Sequence, residues 1–332
     1  MENLTLRQKI SQMFITGFSG QSLAFNRNFI NLVENGLGGV IFFTQNISNE
    51  KQFRELISSI SEKASIPMFY SIDQEGGRVE RTEKIHNGKK YLSAKNAYEM
   101  GLSYLQNQTK EIALELKGYG INMNFAPVLD VNTNKDNPII GERAFSSNAD
   151  DVVAGSKVVI KEYEKYGIIT VGKHFPGHGA ASADSHKTLP TIDLSKEEMQ
   201  EHLKPFEEAI KIGLPAIMAA HVLYPAFDET NPASISKKII DDLLINEMNF
   251  HGVIITDDME MNGIKGFTKL EACIKAINAG INMFIFRDTT KDIVELIEKL
   301  EKAVIEGIIP EEKIENSFDK IINLKRQYGI IR

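Results

Sequence analysis

Eight apolar segments alternate with amphipathic stretches along this chain and predict an α/β fold with a parallel sheet. Continuous apolar runs are typical of parallel strands that are buried on both faces. Eight repeats fit closure into a single (β/α)8 barrel of TIM type, whereas an open doubly wound sheet is the competing arrangement. Polar residues follow many of the segments, including Asp73, Asp130, His221, Asp257 and Arg287. A barrel gathers such strand ends around one mouth and an open sheet spreads them along a crevice, so we expect the barrel.

The expected strands follow one another in order along the chain. They are QMFITGF, GGVIFFTQN, PMFYSID, MNFAPVLDV, ITVGKHF, AIMAAHVLY, GVIITDD and MFIFRD. Helix-like stretches such as NEKQFRELISSISEKA and TKEIALELKGYG lie between them. Ser195, with Glu198 three residues later, predicts a capping box at the start of one helix, and Pro205 predicts a kink or a later start in that helix. No linker or low-complexity tract divides the sequence, so we expect residues 1–332 to form one domain.

The composition excludes several classes of protein. Of the 332 residues, 42% are hydrophobic, which is enough for a sizeable core, and the net charge of −7 argues against nucleic acid as the main partner. No run approaches the roughly 18 apolar residues of a membrane span. The segment MENLTLRQKISQMF lacks the pattern of a secretion signal. Because the single Cys273 cannot form an internal disulfide either, these features together favour the cytoplasm.

The densest group of polar residues is KHFPGHG, residues 173–179, followed by Asp184, Ser185 and His186. It holds three of the seven histidines, and its glycines and proline are incompatible with a regular helix. We interpret it as a βα loop that carries binding and proton-transfer groups. Solvated histidines and a metal site are the competing interpretations. Since the histidines lie in a Pro/Gly loop rather than on a helix face, we expect no metal, and no motif indicates a cofactor.

Two adjacent acids, Asp257 and Asp258, end the apolar segment GVIIT. A carboxylate at the end of a barrel strand projects into the mouth of the barrel. Asp258 is the better candidate for capping the next helix, so Asp257 is the better candidate for catalysis.

A third group begins at Asp73, in the segment DQEGGR, and includes Arg81. Its paired glycines allow a sharp turn, so that an acid and an arginine could grip hydroxyl groups together. A salt bridge between Glu75 and Arg78 would instead give this group a purely structural role. Arg143, in the segment GER, lies in the loop after the fourth predicted strand.

Taken together, the motifs Asp73-x-Glu-Gly-Gly-Arg, IGER, KHFPGHG-x4-DSH and TDDMEM resemble those of bacterial β-N-acetylglucosaminidases of glycoside hydrolase family 3. The resemblance runs from about the second strand to the last. Short members of this family act in the cytoplasm during peptidoglycan recycling, where they release N-acetylglucosamine from its β-1,4 linkage to anhydro-N-acetylmuramic acid. The resemblance implies that Asp257 is the nucleophile and that Asp184 with His186 is the acid/base pair. It also implies that the sugar is bound by Asp73, Arg81, Arg143, Lys173 and His174.

These residue types suit a retaining glycosidase, which needs a nucleophile and a group that first donates and then accepts a proton. A histidine can do the second task near neutral pH. Asp184, two residues before His186, could fix the tautomer of its ring, and arginines near Asp257 would keep that carboxyl ionised. Because a histidine base tolerates an incoming anion, phosphorolysis stays open. A family 3 β-glucosidase and a catalytically silent sugar-binding barrel stay open as well.

Overall fold

Eight parallel strands close into one barrel in the computed structural model, which describes residues 4–86, 89–182, 189–264, 266–289 and 291–331. Each strand lies within one of the predicted apolar segments. The pairing of Phe14 with Phe284 joins the first strand to the last, so the barrel prediction is confirmed and the open sheet is wrong. The strands are β1 (Phe14–Thr16), β2 (Gly39–Phe42), β3 (Phe69–Ile72), β4 (Met123–Asn124), β5 (Ile169–Phe175), β6 (Ala216–Ala219), β7 (Val253–Asp258) and β8 (Met283–Phe286).

Helices surround the barrel and connect successive strands. A helix of π type, Lys238–Glu247, follows β6. In the part of the chain that the structure describes, no helix is both long and apolar enough to cross a membrane. The α-helices are α1 (Leu6–Gln12), α2 (Arg27–Glu34), α3 (Glu50–Lys63), α4 (Ala94–Glu99), α5 (Leu102–Tyr119), α6 (Ala149–Tyr166), α7 (Lys196–Lys211), α8 (Lys269–Ala279), α9 (Lys291–Ile305) and α10 (Glu311–Gln327).

The start of α7 shows which local signal decides a helix boundary. Ser195 accepts a hydrogen bond from the amide of Glu198, whose carboxylate binds the Ser195 amide, so the predicted capping box is confirmed. The helix begins directly after this cap and continues through Pro205. The expected later start is therefore wrong, because the capping box satisfies the amides of Ser195 and Glu198 where the helix begins.

Strand residues are buried on both faces, as continuous apolar runs predict. All seven residues of β5 and all four of β8 are buried. Aromatic rings pack between neighbouring strands and between strands and helices. Phe14 of β1 stacks on Phe286 of β8 with ring centres 5.7 Å apart, and Phe42 of β2 meets Phe53 of α3 edge-on at 5.1 Å. This packing fixes the strand ends, and the loops that follow the strands build the site described next.

Candidate active site

A cavity of about 250 Å³ opens at the carboxyl ends of the strands. This is roughly eight times the volume of a water molecule in the liquid, so the cavity suits a small polar ligand. It brings together six of the residues that the sequence predicts for the site. Asp184 and His186 lie outside the described residues. The predicted residues that line the cavity are Asp73, Arg81, Arg143, Lys173, His174 and Asp257.

Asp257 lies in β7, and its Oδ1 accepts a hydrogen bond of 2.8 Å from the amide of Asp258. Burial by itself would raise the pKa of this carboxyl. Electrostatic interactions with His174, His221 and Lys173 and the hydrogen bond from the Asp258 amide outweigh burial and hold the pKa of Asp257 below its usual value. Asp257 is therefore ionised at neutral pH. We expected arginines to have this effect, but the main contributions come from two histidines, a backbone amide and a lysine. Arg143 pairs with another carboxylate.

That other carboxylate is Glu75, which organises the polar side of the cavity. Its two oxygens accept from Nε and Nη2 of Arg143 at 2.8 and 2.9 Å. The ammonium of Lys173 lies 2.6 Å from Glu75 Oε1 and 2.7 Å from Asp73 Oδ1. The expected pair between Glu75 and Arg78 is wrong, since Arg78 donates instead to the carbonyl oxygen of Ile139.

Glu75, Arg143 and Lys173 form what we call the Glu75 network, and all three are charged at neutral pH. Burial opposes the charge on Glu75, but Arg143 and Lys173 hold the pKa of Glu75 well below its usual value. Burial likewise opposes the charge on Lys173, and the carboxylates of Asp73 and Glu75 raise the pKa of Lys173. The network therefore presents fixed hydrogen-bond donors to the cavity, as a ligand rich in hydroxyl and amide groups requires.

Asp130, a fully buried residue of the loop after β4, fixes the histidines of the loop after β5. Its Oδ2 lies 2.7 Å from Nδ1 of His174, and its Oδ1 accepts from the amides of His174 and His178 at 3.2 and 2.7 Å. Because a carboxylate only accepts, Nδ1 of His174 carries a proton. The imidazole of His174 is therefore held in one orientation at the cavity wall.

The described part of the loop after β5 packs tightly against the loop after β4. A Cβ on Gly179 would stand 1.8 Å from the carbonyl oxygen of Val131, so only glycine fits there. The amide of Asn137 donates to the carbonyl of His178 at 2.9 Å, and the Tyr224 hydroxyl donates to that of Gly177 at 2.8 Å. Burial lowers the pKa of His178 to about 4, so its ring is neutral in the working range.

Asp258, which follows Asp257, binds amides of a turn and does not cap the next helix as its position in the sequence suggests. Asp258 Oδ1 accepts from the amides of Glu260 at 3.1 Å and Arg287 at 3.3 Å, whereas Thr268 caps α8. The prediction of a helix cap at Asp258 is therefore wrong, because a turn separates β7 from the helix. Burial raises the pKa of Asp258 to about 6.

His221 binds the backbone of the turn that begins at Asp258. Its Nε2 lies 3.1 Å from the carbonyl oxygen of Asp258, and its Nδ1 lies 2.6 Å from the hydroxyl of Ser234. Burial lowers the pKa of His221, so the ring is neutral at pH 7. A carbonyl only accepts, so Nε2 carries the proton and Nδ1 accepts from Ser234.

Three residues to which the sequence assigned no role in the site complete it. Glu75 and Asp130 belong to segments rich in polar residues, but their long-range partners leave no local signal. Phe43 lies just after β2. The centre of its ring is 5.8 Å from the guanidinium carbon of Arg81 and equally far from that of Arg287. Within the described residues, no group of three or more His, Cys, Asp and Glu side chains is arranged to hold a metal ion.

Comparisons with known proteins identify the family of this chain. The family model of the glycosyl hydrolase family 3 N terminal domain matches residues 5–324. Beta-hexosaminidase A of Pseudoalteromonas piscicida is 34% identical over 317 residues, which are 87% of this chain and 53% of that protein. The beta-hexosaminidase of Haemophilus influenzae is 34% identical over 273 residues, 80% of this chain and 76% of that protein. This chain thus spans about half the length of the first relative and about three quarters of the second.

A solved structure of the same family is also similar to this chain. The family 3 β-N-acetylglucosaminidase from Paenibacillus sp. superposes with a TM-score of 0.93 at 34% identity, over 99% of this chain and 63% of that one. The family match includes all eight strands of the barrel and all four motifs. The chain belongs to glycosyl hydrolase family 3.

Proposed function

We propose that this protein is a retaining exo-β-N-acetylglucosaminidase that removes terminal N-acetylglucosamine from muropeptides, at its β-1,4 linkage to anhydro-N-acetylmuramic acid. The observation that carries this proposal is the ionised carboxylate of Asp257, which lies in a small cavity together with fixed hydrogen-bond donors. The names of the relatives, beta-hexosaminidases and a β-N-acetylglucosaminidase, support the class of sugar.

In the proposed first step, Asp257 attacks the anomeric carbon and the bond to the glycosidic oxygen breaks. His186 donates a proton to that oxygen, and Asp184 holds the other ring nitrogen of His186. In the second step His186 takes a proton from water, whose oxygen attacks the anomeric carbon and releases Asp257. The roles of Asp184 and His186 rest on the DSH motif, because both residues lie outside the described part of the chain.

The terminal sugar would be bound by Asp73, Arg81, Arg143, Lys173 and His174. Glu75 fixes Arg143 and Lys173 from behind, and Asp130 fixes His174, so little side-chain freedom remains to be lost on binding. A cavity of about 250 Å³ suits one terminal sugar rather than a long chain, which favours exo action. We place the reaction in the cytoplasm, in the recycling of peptidoglycan fragments, and cell fractionation with an antibody tests that placement.

A product assay on purified muropeptides tests sugar, linkage and reaction type together. We expect free N-acetylglucosamine and the anhydro-muramyl product, at a rate that does not depend on added phosphate. N-acetylglucosamine 1-phosphate as the product would identify a phosphorylase. Faster cleavage of p-nitrophenyl glucoside than of p-nitrophenyl N-acetyl-β-glucosaminide would identify a β-glucosidase. If no substrate is turned over, the protein is a sugar-binding barrel without catalytic activity.

The substitution Asp257→Ala tests the nucleophile. We expect turnover of p-nitrophenyl N-acetyl-β-glucosaminide to fall by at least about a thousand-fold, because the covalent route is lost. Added azide should restore product as the α-glycosyl azide, since the small anion occupies the place of the carboxylate. The control is Asp258→Asn, whose amide oxygen can still accept from the Glu260 and Arg287 amides. If Asp257→Ala is no slower than this control, the assignment is wrong.

A further inference from the structure

A buried group of ionisable side chains lies behind the candidate active site, between the loop after β3 and helix α5. We call it the His86 cluster, and its members are Glu80, Thr82, His86, Tyr91 and Glu115. Nδ1 of His86 lies 3.0 Å from Glu80 Oε1, and Nε2 lies 2.8 Å from Glu115 Oε1. The hydroxyl of Thr82 also contacts Nε2, and the hydroxyl of Tyr91 donates to Glu115 Oε2 at 2.9 Å.

The cluster requires a positive charge on His86. Nε2 faces the Glu115 carboxylate, whereas Nδ1 faces the carbonyl oxygen of Lys89 and lies in ion-pair range of Glu80. Because a carbonyl and a carboxylate only accept hydrogen bonds, both nitrogens must carry protons. The side chains of His86 and Glu80 are 1% and 5% exposed and that of Glu115 is 17% exposed, so two carboxylates at this depth would be costly without a cation between them. Burial by itself lowers the pKa of His86, but Glu115 and Glu80 raise it to about 9.

The neighbouring charged groups leave His86 as the cation between these two acids. Lys89 reaches outward to Glu111 of α5, and its carbonyl oxygen lies 3.2 Å from Nδ1 of His86. The phenol of Tyr91 stays neutral, because burial and the charge of Glu115 raise its pKa. In the described residues around the ring, the loop therefore contributes Glu80, Lys89 and Tyr91, and α5 contributes Glu111 and Glu115.

Arg81 connects this cluster to the cavity. It lies between Glu80 and Thr82 in sequence, and both of these neighbours contact His86. The amide of Arg81 donates to Gln74 Oε1 at 2.8 Å, and its guanidinium lies 3.9 Å from Asp73 Oδ2 at the cavity wall. The flanking side chains thus enter the buried cluster while Arg81 lines the cavity.

The guanidinium of Arg81 also has unused bonding capacity. Its Nε is buried, and in the described part of the chain it has no hydrogen-bond partner. A buried donor without a partner is costly unless a ligand accepts from it. Small movements of the segment 80–82 would therefore change how well Arg81 meets a ligand.

We propose that His86 is a positioning residue: its imidazolium holds the loop after β3 against α5 and thereby keeps Arg81 in place for the substrate. This inference rests on the proposed function in one respect, the role of Arg81 in binding the sugar. It predicts that substrate binding weakens when His86 loses its proton. Since the pKa of His86 is raised to about 9, the charged form is present below that pH and is lost as the pH rises through it.

The test measures kcat and KM for p-nitrophenyl N-acetyl-β-glucosaminide from pH 6 to 10. In the wild type, we expect KM to rise near pH 9 while kcat changes less. Glu115→Gln removes one of the two carboxylates that stabilise the imidazolium, so the rise in KM should move to lower pH by about one unit or more. Glu111→Gln, one helical turn away and exposed, is the matched control and should leave the profile unchanged.

His86→Gln tests the same residue directly at pH 7. We expect KM to rise about ten-fold and kcat to stay within about three-fold, as for the loss of one charge-assisted contact that acts on binding. Because His86→Gln can impair folding, the Glu115→Gln profile and an NMR titration of the His86 ring provide independent readouts. An unchanged KM in His86→Gln, or a Glu115→Gln profile that superposes on that of the wild type, would overturn the proposal.

Two failures can be told apart. If the wild type cleaves no N-acetylglucosaminide, the proposed function fails, and the role of Arg81 in binding that sugar fails with it. If the wild type is active but the pH profiles of KM in the variants match that of the wild type, the proposed function stands and His86 has only a structural role.

Discussion

Replacing Glu75 by glutamine should destabilise the protein, because Glu75 is the shared partner of two buried cations. The Glu75 side chain is 4% exposed, and those of Lys173 and Arg143 are 2% and 10% exposed. The substitution keeps the shape and one acceptor oxygen but removes the negative charge. Lys173 retains Asp73 as a charged partner, whereas Arg143 is left with neutral acceptors, the glutamine oxygen and the Ile139 carbonyl at 3.2 Å.

The size of the effect follows from this burial. Breaking a buried ion pair by removing one partner costs about 3–5 kcal/mol. We expect the lower end, about 3 kcal/mol, because one acceptor oxygen remains. For 332 residues the entropy of unfolding is about 0.7 kcal/mol per kelvin, so Tm should fall by about 4 °C.

Calorimetry and urea unfolding at pH 7 measure this change. The matched control is Glu142→Gln, which removes an exposed carboxylate next to Arg143 and should shift Tm by less than about 1 °C. If Glu75→Gln unfolds at the same temperature as the control, the Glu75 network contributes no stability and the reasoning is refuted.

Two further substitutions test separate parts of the molecule. His186→Ala should slow cleavage of natural disaccharides more than that of p-nitrophenyl glycosides, which need little protonation of the leaving group; equal losses in kcat/KM would argue against an acid role. Lys325→Met tests a fully buried lysine of α10 whose ammonium donates to Gln12 Oε1 and to the Pro67 carbonyl, both at 2.7 Å. Burial lowers the pKa of Lys325 to about 7, whereas the unfolded chain keeps the usual value of 10.5. The unfolded state therefore binds more protons between these values, and the stability of the wild type relative to Lys325→Met should rise from pH 7 to 10 in urea unfolding. A difference that stays constant across this range would show that Lys325 keeps its proton.

The sequence predicted the barrel and the position of each strand because both depend on local signals. An apolar run, followed by a polar residue, marks the end of a parallel strand whatever the rest of the chain does. Asp73, Lys173, His174 and Asp257 were found in this way, since the fold alone brings those strand ends together. The capping box at Ser195 is a signal of the same local kind.

Partners of buried charges could not be predicted in the same way. Glu75 is three residues from Arg78 and 68 from Arg143, yet it binds the distant arginine. The sequence does not show which of the two arginines pairs with Glu75, because only the closed barrel brings the loop after β4 over the end of β3. The role of Asp258 was missed for a related reason: whether an acid caps a helix or a turn depends on where the helix starts, and α8 starts only at Lys269.

The arrangement of charges also explains why Glu75 should matter for catalysis. Among the described residues, the hydrogen bond to the Asp257 carboxylate comes from the Asp258 amide, whereas Lys173 acts on Asp257 through its field. A carboxylate held in this way is ionised but keeps lone pairs free to attack carbon. Glu75 and Asp73 hold the ammonium of Lys173 away from a direct pair with Asp257.

In Glu75→Gln the ammonium of Lys173 loses one of these two carboxylate partners, so it is free to move toward Asp257. The acidic limb of the kcat/KM profile should then move to lower pH, because a closer cation lowers the pKa of the nucleophile further. At the same time kcat at pH 7 should fall, because a directly paired carboxylate attacks less readily. A fall in kcat with an unmoved acidic limb would mean that Glu75 acts only by holding Arg143 and Lys173 for the substrate, and not through the charge balance around Asp257.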